Sequence, residues 1–498
     1  SLILGAQFFL TNPAVFLVLV LGVFIGIVFG AIPGLTAALA VSLALPFTYA
    51  MTAEQGVMLL IALYVGGISG GLTSAILLNI PGSPASLVTC FDGAPMARKG
   101  RQNEALAIGV FSSLCGGLFS AVALVLIAPQ LAKVALVFGP WEYFAMGIMG
   151  LSVVVSLCSE NLIKGFIGAI IGLLIAAVGM DPVSGVSRFT FGMWQLDAGM
   201  NTLPVLMGMF ALSEILSQIG LLRQKYTVLS VKGMKVLPQK EHIFPNTPVF
   251  LVSAVIGTVI GILPGVGQST ASLIAYNQAK QMSKTPEKFG TGMPEGVIAS
   301  ETANNAVCGG ALIPMMTMAI PGDTVTAILL GGLVVHGLQP GPLLFQTNTN
   351  LVGVMFVSYI LSNIVMFALM MGLMKIIIKL LTVPMHYMLP FLLLMCMVGT
   401  YTVNNRLFDC WILFGIGLVA YMLIHCGFSL APIVLGYVLG DIIESNFRTA
   451  LIGSNGNFGE VLTRPIALAL FAFALVMLII PTVRLIKNRK KVTSGSSQ

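Results

Sequence analysis

Four Pro-Gly pairs interrupt the apolar stretches of this 498-residue chain, two in each half. The first half contains Pro33-Gly34 and Pro81-Gly82, and the second half contains Pro264-Gly265 and Pro321-Gly322. Proline removes a backbone donor and clashes with the preceding turn, and glycine relaxes the chain, so each pair predicts a break in a helix. The pairs recur in the same order at a nearly constant shift, which indicates an internal repeat.

The composition indicates the environment in which these helices lie. Of all residues, 57% are hydrophobic and only 8% are charged, whereas soluble domains carry roughly 25% charged residues. Apolar stretches of about 20 residues recur along the chain, and each is long enough to cross a ~30 Å hydrocarbon core as a helix. We therefore predict an all-α polytopic membrane protein with roughly 11 to 14 spans. In such a protein, matching breaks in two halves indicate discontinuous helices or helical hairpins that meet near the bilayer midplane.

Basic residues lie in short segments between or after the apolar stretches, so a nucleic-acid partner is not expected. The sequence predicts a first membrane repeat at residues 1–221, a basic linker at 222–246, a second repeat with C-terminal spans at 247–486, and a basic tail at 487–498 whose last residues resemble an expression tag. The positive-inside rule places the linker and the tail in the cytoplasm. We expect the N-terminus to lie outside the cytoplasm. With the linker inside, the first half then crosses the membrane an odd number of times, and the two repeats are predicted to have inverted topology.

Shorter features are also predicted within each half. Segments 36–49 and 270–282 each follow a Pro-Gly pair and are expected to be half-helices. The polar segment 92–101 is expected to be a loop at the membrane interface. The seven cysteines and four histidines are dispersed, so neither a metal site nor a catalytic cluster is predicted.

Residues after each Pro-Gly pair have the chemistry of an anion site. A half-helix that begins there exposes free N–H groups and the positive end of its dipole, and neighbouring hydroxyls add further donors. The alternative is that the pairs are only kinks for packing. The candidate substrate-binding residues are Pro33, Gly34, Leu35 and Thr36; Pro81, Gly82, Ser83 and Ser86; Pro264, Gly265, Gly267, Gln268 and Ser269; and Pro321, Gly322, Asp323 and Thr324.

A second group of polar residues is a candidate cation site. A carboxylate within a membrane span is costly and therefore indicates function, and amide oxygens suit a hard cation such as Na⁺. The alternative is that the amides only join neighbouring helices. Because the first half has no match for Glu301, a proton relay through Glu295, Glu301 and Asp323 is less favoured than Na⁺. The candidate ion-binding residues are Asn79, Glu301, Asn304, Asn305 and Thr326.

Eight longer motifs are distributed over most of the chain: residues 64–67, 76–86, 92–100, 264–267, 283–290, 295–306, 313–322 and 336–342. Through these motifs the chain resembles the large membrane subunit of the tripartite tricarboxylate transporters (TctA-like). The resemblance implies a multi-pass carrier of the bacterial inner membrane that imports an organic carboxylate such as a tricarboxylate or dicarboxylate, driven by an ion gradient. It also implies a small four-span membrane subunit and a periplasmic solute-binding protein as partners, with no cofactor beyond the coupling ion.

Mechanism and alternatives remain at the level of expectation. By analogy with other transporters built from inverted repeats, a transport domain is expected to move against a scaffold as an elevator. A passive anion channel is the first alternative, because it would also bind anions inside the membrane. A membrane-embedded enzyme is the second, although the dispersed histidines and cysteines form no nucleophile-base pair. The sequence does not determine which carboxylate is carried.

Overall fold

The computed structural model describes residues 1–158, 161–181, 184–220, 240–381, 383 and 385–495. Residues 222–239 of the predicted linker and residues 496–498 of the predicted tail lie outside the described residues. About 82% of the chain is helical, which confirms the all-α prediction. The helices are α1 (Leu2–Thr11), α2 (Pro13–Ala31), α3 (Ala37–Thr48), α4 (Ala53–Leu78), α5 (Thr89–Met96), α6 (Gln102–Ala135), α7 (Pro140–Cys158), α8 (Leu162–Ala176), α9 (Thr202–Leu206), α10 (Ser213–Ile219), α11 (Lys240–Ile243), α12 (Thr247–Ile262), α13 (Gly267–Met282), α14 (Pro294–Met318), α15 (Thr324–Val335), α16 (Leu344–Thr347), α17 (Thr349–Leu380), α18 (Met385–Asn404), α19 (Leu407–His425), α20 (Leu430–Gly453) and α21 (Pro465–Gly495).

Short elements connect some of these helices. Five-residue and six-residue π-helical turns, Ala97–Arg101 and Met207–Leu212, join α5 to α6 and α9 to α10. The strands β1 (Gly179–Met180) and β2 (Ser187–Arg188) pair antiparallel. Single 3-10 turns lie at Pro84–Ser86, Trp194–Leu196, Phe244–Asn246, Pro286–Lys288 and Phe458–Thr463.

Within the described residues, nine helices are long and apolar enough to cross a membrane. Further apolar helices of 10–17 residues include α3 and α15, which each follow a Pro-Gly pair. Both predicted segments are helical, because α3 and α13 begin three and two residues after the first and third pairs, and their role as half-helices within the membrane stays a prediction. The chain is therefore a multi-pass membrane protein, and the expected 11 to 14 spans stay a prediction.

The helices form two compact units, each assembled from both halves of the sequence. Unit 1 comprises Ser1–Lys133 and Leu203–Tyr421, and unit 2 comprises Val134–Thr202 and Met422–Gln498. All four Pro-Gly pairs lie in unit 1. The predicted boundaries at 221, 246 and 486 concern sequence repeats, and they stay predictions.

Helices α4 and α14 form the interior of unit 1. Every residue of α14 from 296 to 317 is buried, and so is every residue of α4 from 56 to 77 except Leu59. Small residues allow neighbouring helices to approach closely. A Cβ atom built on Gly70 would lie 2.3 Å from the carbonyl oxygen of Ile27 in α2, and one on Gly310 would lie 2.4 Å from that of Thr258 in α12. Helix α4 therefore packs against α2, and α14 packs against α12, with the two backbones in contact. Helices α2 and α12 are the ones that end at the earlier Pro-Gly pair of each half.

Unit 2 contains α7, α8, α20 and α21 with the strand pair between α8 and α9. Helices α8 and α20 also approach through glycine, because a Cβ atom on Gly172 would lie 2.0 Å from the carbonyl oxygen of Ile433. An aromatic cluster joins α7 to α20, with the rings of Phe144 and Phe447 4.7 Å apart and Trp141 buried beside them. These contacts fix α20 as the central helix of this unit.

The prediction of an interfacial loop at residues 92–101 is wrong. This segment is helical, first in α5 and then in the π-helical turn, with Gly100 alone in a left-handed conformation at φ 79°. Asp92 is fully buried. Its polar composition suggested a surface, but partners from the other half satisfy the carboxylate, as described below.

Candidate functional site

The first and third Pro-Gly pairs have nearly the same backbone. Helices α2 and α12 end before Ile32 and Leu263, and both residues adopt φ −79° and ψ 120°. Gly34 and Gly265 follow at φ 86° and 72°, a region that residues with a side chain rarely adopt. The proline stops the helix and the glycine lets the chain turn into the next one, so the same local sequence gives the same break twice.

The second and fourth pairs also match each other. Helices α4 and α14 end at Asn79 and Ala319, which are both left-handed at φ 55° and 58°. Asparagine adopts this conformation more readily than most residues. The amide of Asn79 bonds the carbonyl of Ser74, and that of Ala319 bonds the carbonyl of Pro314. The two buried helices therefore terminate by one mechanism before each Pro-Gly pair.

Within each half, the later break packs onto the earlier one. A Cβ atom on Gly82 would lie 2.2 Å from the carbonyl oxygen of Gly30, and one on Gly322 would lie 2.4 Å from that of Gly261. In the second half, the amide of Gly265 also donates to the carbonyl of Gly322 at 2.8 Å. The breaks of each half thus form one packed pair.

Asp323 connects the two halves. Its carboxylate accepts hydrogen bonds from the phenol of Tyr64 in α4 and from the side-chain amide of Gln268 in α13. The same carboxylate caps α15 by accepting from the amide and hydroxyl of Thr326, both at 2.7 Å. Asp323 is 4% exposed, so a buried negative charge at the fourth break is held by donors from both halves.

Glu301 is the second buried carboxylate. It accepts hydrogen bonds from the hydroxyl of Thr89 at 2.5 Å and from that of Ser113 at 3.2 Å. Thr89 begins α5, just after the 3-10 turn Pro84–Ser86, and this turn packs against α14. Glu301 therefore faces the second Pro-Gly segment, in the other half of the chain.

Asn304 lies about one turn beyond Glu301, and its side-chain nitrogen is close enough to donate a weak hydrogen bond to that carboxylate. The side chain is fully buried, and its oxygen has no hydrogen-bond partner within the described residues. The hydroxyl of Thr302 is buried without a partner in the same way. Leaving a buried polar group unbonded costs about 1–3 kcal/mol, so these atoms are well suited to bind a polar species.

Asn305 contributes a further contact between the halves. Its side-chain oxygen accepts from the hydroxyl of Ser69 in α4 at 2.6 Å, and its backbone carbonyl accepts from the phenol of Tyr359 at 3.3 Å. Its side-chain nitrogen donates to the carbonyl of Glu301 at 3.1 Å. All polar atoms of this side chain are satisfied by protein, in contrast to the side-chain oxygen of Asn304.

Asp92 holds the segment that leads into α14. One carboxylate oxygen accepts the amides of Gly290, Gly292 and Met293 at 2.7–2.9 Å, and the other accepts the phenol of Tyr276 at 2.8 Å. A carboxylate with four donors is fully satisfied although it is buried. Asp92 therefore positions the start of the helix that carries Glu301 and Asn304.

The first Pro-Gly segment makes fewer polar contacts. The hydroxyl of Thr36 caps α3 by accepting from the amide of Leu39 at 3.2 Å, and the side chain of Gln218 covers Gly34. Pro33 and Gly34 are half-buried, and Leu35 is buried. A structural role as helix cap thus accounts for Thr36, while a substrate contact stays a prediction.

At the second segment, Ser83 and Ser86 are buried with their hydroxyl oxygens 3.4 Å apart. At the third, Ser269 is half-buried within the first turn of α13, and at the fourth, Thr324 is half-buried at the start of α15. The predicted residues from the later three segments are thus at or near helix starts. Their contact with a substrate stays a prediction.

Asn79 lies away from the other candidate ion-binding residues. It is exposed and follows Ser69 by ten positions on α4, which corresponds to about 15 Å along the helix. Its left-handed backbone alone explains why an asparagine suits this position. Glu301, Asn304, Asn305 and Thr326 are buried in unit 1.

His336, at the end of α15, connects that helix to the start of α4. Its Nε2 lies 3.3 Å from the hydroxyl oxygen of Thr48, and a Cβ atom on Gly56 would lie 2.5 Å from it. Burial lowers the pKa of His336, and the nearby carboxylate of Glu54 acts in the opposite direction. The contact is structural and lies at the far end of α15 from Asp323.

Residues that sequence reasoning missed supply most of the contacts between the halves: Tyr64, Ser69, Thr89, Asp92, Ser113 and Tyr276. Each is a polar residue in or beside an apolar stretch. Such residues are rare in membrane helices and usually face the protein interior, and this signal could have identified them.

The site combines two buried carboxylates, those of Glu301 and Asp323, with several hydroxyls and the unpartnered side-chain oxygen of Asn304, all inside unit 1. All the polar groups named at Glu301, Asn304 and Asp323 are closed off from solvent in this conformation. The arrangement can bind small ions or polar solutes.

Comparisons with known proteins agree with one family. The profile described as "Tripartite tricarboxylate transporter TctA family" matches residues 16–435. An Agrobacterium vitis protein, described as an uncharacterized 52.8 kDa protein in the TAR-I ttuC' 3' region, is 34% identical over 447 residues, which cover 90% of this chain and 89% of that protein. A second Agrobacterium vitis protein, described as an uncharacterized protein in the TAR-II ttuC' 3' region, is 34% identical over 234 residues, which cover 47% of this chain and 97% of the relative. No solved structure matches the chain. The chain, with its apolar helices and its match from residue 16 to 435, therefore belongs to the tripartite tricarboxylate transporter TctA family and is a multi-pass membrane component of such a transporter.

Proposed function

We propose that this chain is the large membrane subunit of an importer that moves an organic carboxylate across the bacterial inner membrane together with a cation. One observation carries the proposal: in unit 1, the turn that follows the second Pro-Gly pair packs against α13, which follows the third pair, and against α14, which precedes the fourth. Asp323 of the fourth segment bonds Tyr64 of the first half, and Glu301 of the second half bonds Thr89 beside the second segment. Broken membrane helices are tolerated where they line a binding site.

The substrate region is proposed at the second Pro-Gly segment. Ser83 and Ser86 are buried hydroxyls, and the segment itself contains no acidic side chain. Hydroxyls and the amides of a helix start are good donors to a carboxylate. The related segments at Thr36, Ser269 and Thr324 would complete the set of donors when the site opens. A dicarboxylate or tricarboxylate matches this arrangement because it presents several acceptors to separate donors.

The coupling cation is proposed beside Glu301. Hard cations prefer oxygen ligands, and the Glu301 carboxylate is accompanied by the unpartnered side-chain oxygen of Asn304. These oxygens favour Na⁺ as the coupling ion. Protonation of Glu301 or Asp323 is the alternative, because both carboxylates are buried where a proton would neutralise them.

The mechanism follows from the repeat. The matching terminations of α2 and α12, and of α4 and α14, support an internal repeat, and we propose that its two copies have inverted topology. We propose that the inner helices move as an elevator relative to a scaffold. The large subunit would work with a small four-span membrane subunit and with a periplasmic solute-binding protein that delivers the carboxylate. The word tripartite in the family description supports a transporter of three components.

Uptake into proteoliposomes tests this function. The chain, purified with its small subunit, would be reconstituted with the solute-binding protein and radiolabelled citrate, with an inward Na⁺ gradient, an inward H⁺ gradient, or neither. We expect accumulation against a concentration gradient only with Na⁺. Equal uptake without either gradient would indicate a passive channel, chemical conversion of the solute would indicate an enzyme, and both results would overturn the proposal.

Accumulation driven by H⁺ alone would retain the carrier but overturn Na⁺ coupling. If citrate is not accumulated, a panel of labelled dicarboxylates and tricarboxylates would be used under the same three conditions. Failure of every member of that panel would overturn carboxylate import.

A further inference from the structure

A second polar region lies in unit 2, separate in sequence from the Pro-Gly segments. A cavity of about 780 Å³ is lined by residues of the 176–202 segment and of α20. Three acidic side chains and one arginine are among its lining residues: Asp197, Asp441, Glu444 and Arg188. Neither the substrate site nor the coupling-ion site proposed above uses these residues.

A chain of ion pairs holds this cavity in shape. Arg188 bonds Glu444 with two parallel contacts at 2.6 and 3.2 Å. Arg448 bonds Glu444 at 2.9 Å and Asp181 at 2.7 Å. Hydrogen bonding to Glu444 raises the pKa of Arg188. The four paired residues balance in charge, so the further lining carboxylates, Asp197 and Asp441, give the cavity a surplus of negative charge.

The loop that lines the cavity also exposes large apolar side chains. Phe191 is 84% exposed and Trp194 is 74% exposed, with Phe189 and Met193 also exposed between β2 and Asp197. Phe189 and Phe191 adopt φ 52° and 51°, which is unusual for bulky residues. Exposed aromatic residues beside polar groups are typical of the central contacts of protein interfaces.

The chain itself indicates on which side of the membrane this region lies. Helix α21 begins at Pro465, and the basic residues at 484–491 near its end predict a cytoplasmic terminus. Nineteen residues of helix rise about 29 Å, close to the ~30 Å hydrocarbon thickness. The start of α21 and the nearby end of α20 are therefore predicted outside the cytoplasm. Arg448 lies five residues before that end of α20, Glu444 nine and Asp441 twelve, about 8, 14 and 18 Å along the helix. Arg188 of the loop pairs with Glu444, and Asp181 pairs with Arg448, so the loop lies beside the half of α20 that is nearer that side.

We propose that loop 186–197 and the adjoining acidic cavity form the docking surface for the periplasmic solute-binding protein, which would insert a lysine or arginine side chain into the cavity. This inference rests on the proposed function, because it assumes that such a partner delivers the substrate. The small membrane subunit is a poorer match, because contacts between membrane subunits are made on lipid-facing helices rather than in a charged cavity. Trp194 and Phe191 supply the apolar contact, and Asp197 and Asp441 supply the complementary charge.

Binding measurements in lipid nanodiscs test this surface. The probe is the purified periplasmic solute-binding protein that supports uptake in the proteoliposome experiment, and the target is the complex of this chain with its small subunit. We expect Trp194→Ala to weaken the Kd at least about tenfold, as for central interface residues. Asp441→Asn should weaken it about threefold to tenfold and reduce its salt dependence.

Two control variants match these changes. Trp411 in α19 is 73% exposed, almost the same as Trp194, so Trp411→Ala should leave the Kd unchanged. Glu287 is an exposed acid of unit 1, and Glu287→Gln should also have no effect. Asp441→Glu keeps the charge and should restore binding. Thermal unfolding of each variant verifies that the complex is intact.

Each contrary outcome has one meaning. If the wild-type complex accumulates substrate but Trp194→Ala and Asp441→Asn bind as the wild type does, only the docking surface is wrong. If Trp194→Ala lowers thermal stability in lipid without changing the Kd, the loop contacts lipid and the proposal is overturned. If the wild type neither binds the partner nor takes up substrate, the proposed function fails as well.

Discussion

The later Pro-Gly segments of the two halves share a backbone and differ in chemistry. Each follows a fully buried helix that ends in a left-handed residue, Asn79 in one half and Ala319 in the other. The first-half segment then has Ser83, whose hydroxyl lies 3.4 Å from that of Ser86, whereas the second-half segment has Asp323 at the corresponding place after Pro-Gly. The same kind of break therefore holds neutral hydroxyl donors in the first half and a carboxylate in the second half.

This difference suggests a division of labour between the halves. A segment of hydroxyls and helix amides suits an anion, whereas a carboxylate at the same place repels an anion and attracts a cation. The sequence predicts Asp323 as a substrate-binding residue with the others of its segment. Its carboxylate is better suited to attract a cation than to contact a carboxylate substrate. The four predictions below test or sharpen the comparison.

The largest effect is expected for Asp323→Asn. The change removes the charge while keeping the size of the side chain that bonds Tyr64 and Gln268. Hydrogen bonds to a charged group contribute about 1.5–3 kcal/mol each, so cation-driven uptake should fall about a hundredfold or more. Proteoliposome uptake measures the loss, and Glu287→Gln, at an exposed acid of the same half, is the control. Unchanged uptake with unchanged ion dependence would show that the charge has no role.

Ser83→Asp makes the first-half segment resemble the second. A carboxylate at this buried place should repel an anionic substrate and weaken its apparent affinity about thirtyfold, or about 2 kcal/mol. Ser83→Asn is the matched control, because asparagine differs from aspartate only in charge, and it should cost less than about fivefold. Competition by unlabelled citrate measures both. Equal losses for the two variants would rule out an anion at this segment.

The glycine contacts beneath the breaks can be compared through stability. A Cβ atom on Gly30 would lie 2.0 Å from the carbonyl oxygen of Gly67, and one on Gly261 would lie 2.5 Å from that of Val307. Overpacking costs about 1–3 kcal/mol, so Gly30→Ala and Gly261→Ala should both lower the melting temperature, the first by more. Gly372 has no atom within 4 Å of its Cβ position, and Gly372→Ala should be neutral or stabilising. A melting curve for Gly30→Ala like that of Gly372→Ala would contradict the close packing of α2 and α4.

The smallest effect distinguishes the two earlier breaks. Thr36 caps α3, whereas the residue before α13 is Val266 and has no side-chain cap. Thr36→Ala should therefore destabilise the protein by about 1 kcal/mol. Ser269→Ala, in the first turn of α13, should have a smaller effect, because Ser269 makes no hydrogen bond within the described contacts. Chemical denaturation monitored by fluorescence measures both, and equal losses would show that the cap at Thr36 is not what stabilises α3.

Local sequence predicted the breaks but not the contacts between them. Proline and glycine act on their own turn, so the ends of α2, α4, α12 and α14 could be placed from sequence. Tyr64 and Asp323 are 259 positions apart, and Tyr64 lies in an apolar run without any local feature that names its partner. Asp92 looked like part of a surface loop because its neighbours are polar, and only the amides of residues 290–293 explain its burial. The sequence could therefore identify the site's segments but not the network that joins them.

The four donors on Asp92 also restrict how the site can be exposed. Pulling α5 away from residues 290–293 would break three amide hydrogen bonds to the Asp92 carboxylate, and hydrogen bonds to a charged group contribute about 1.5–3 kcal/mol each. Any opening of the site therefore has to carry α5 and the start of α14 as a single rigid body, and the hinge of the movement lies elsewhere in the chain.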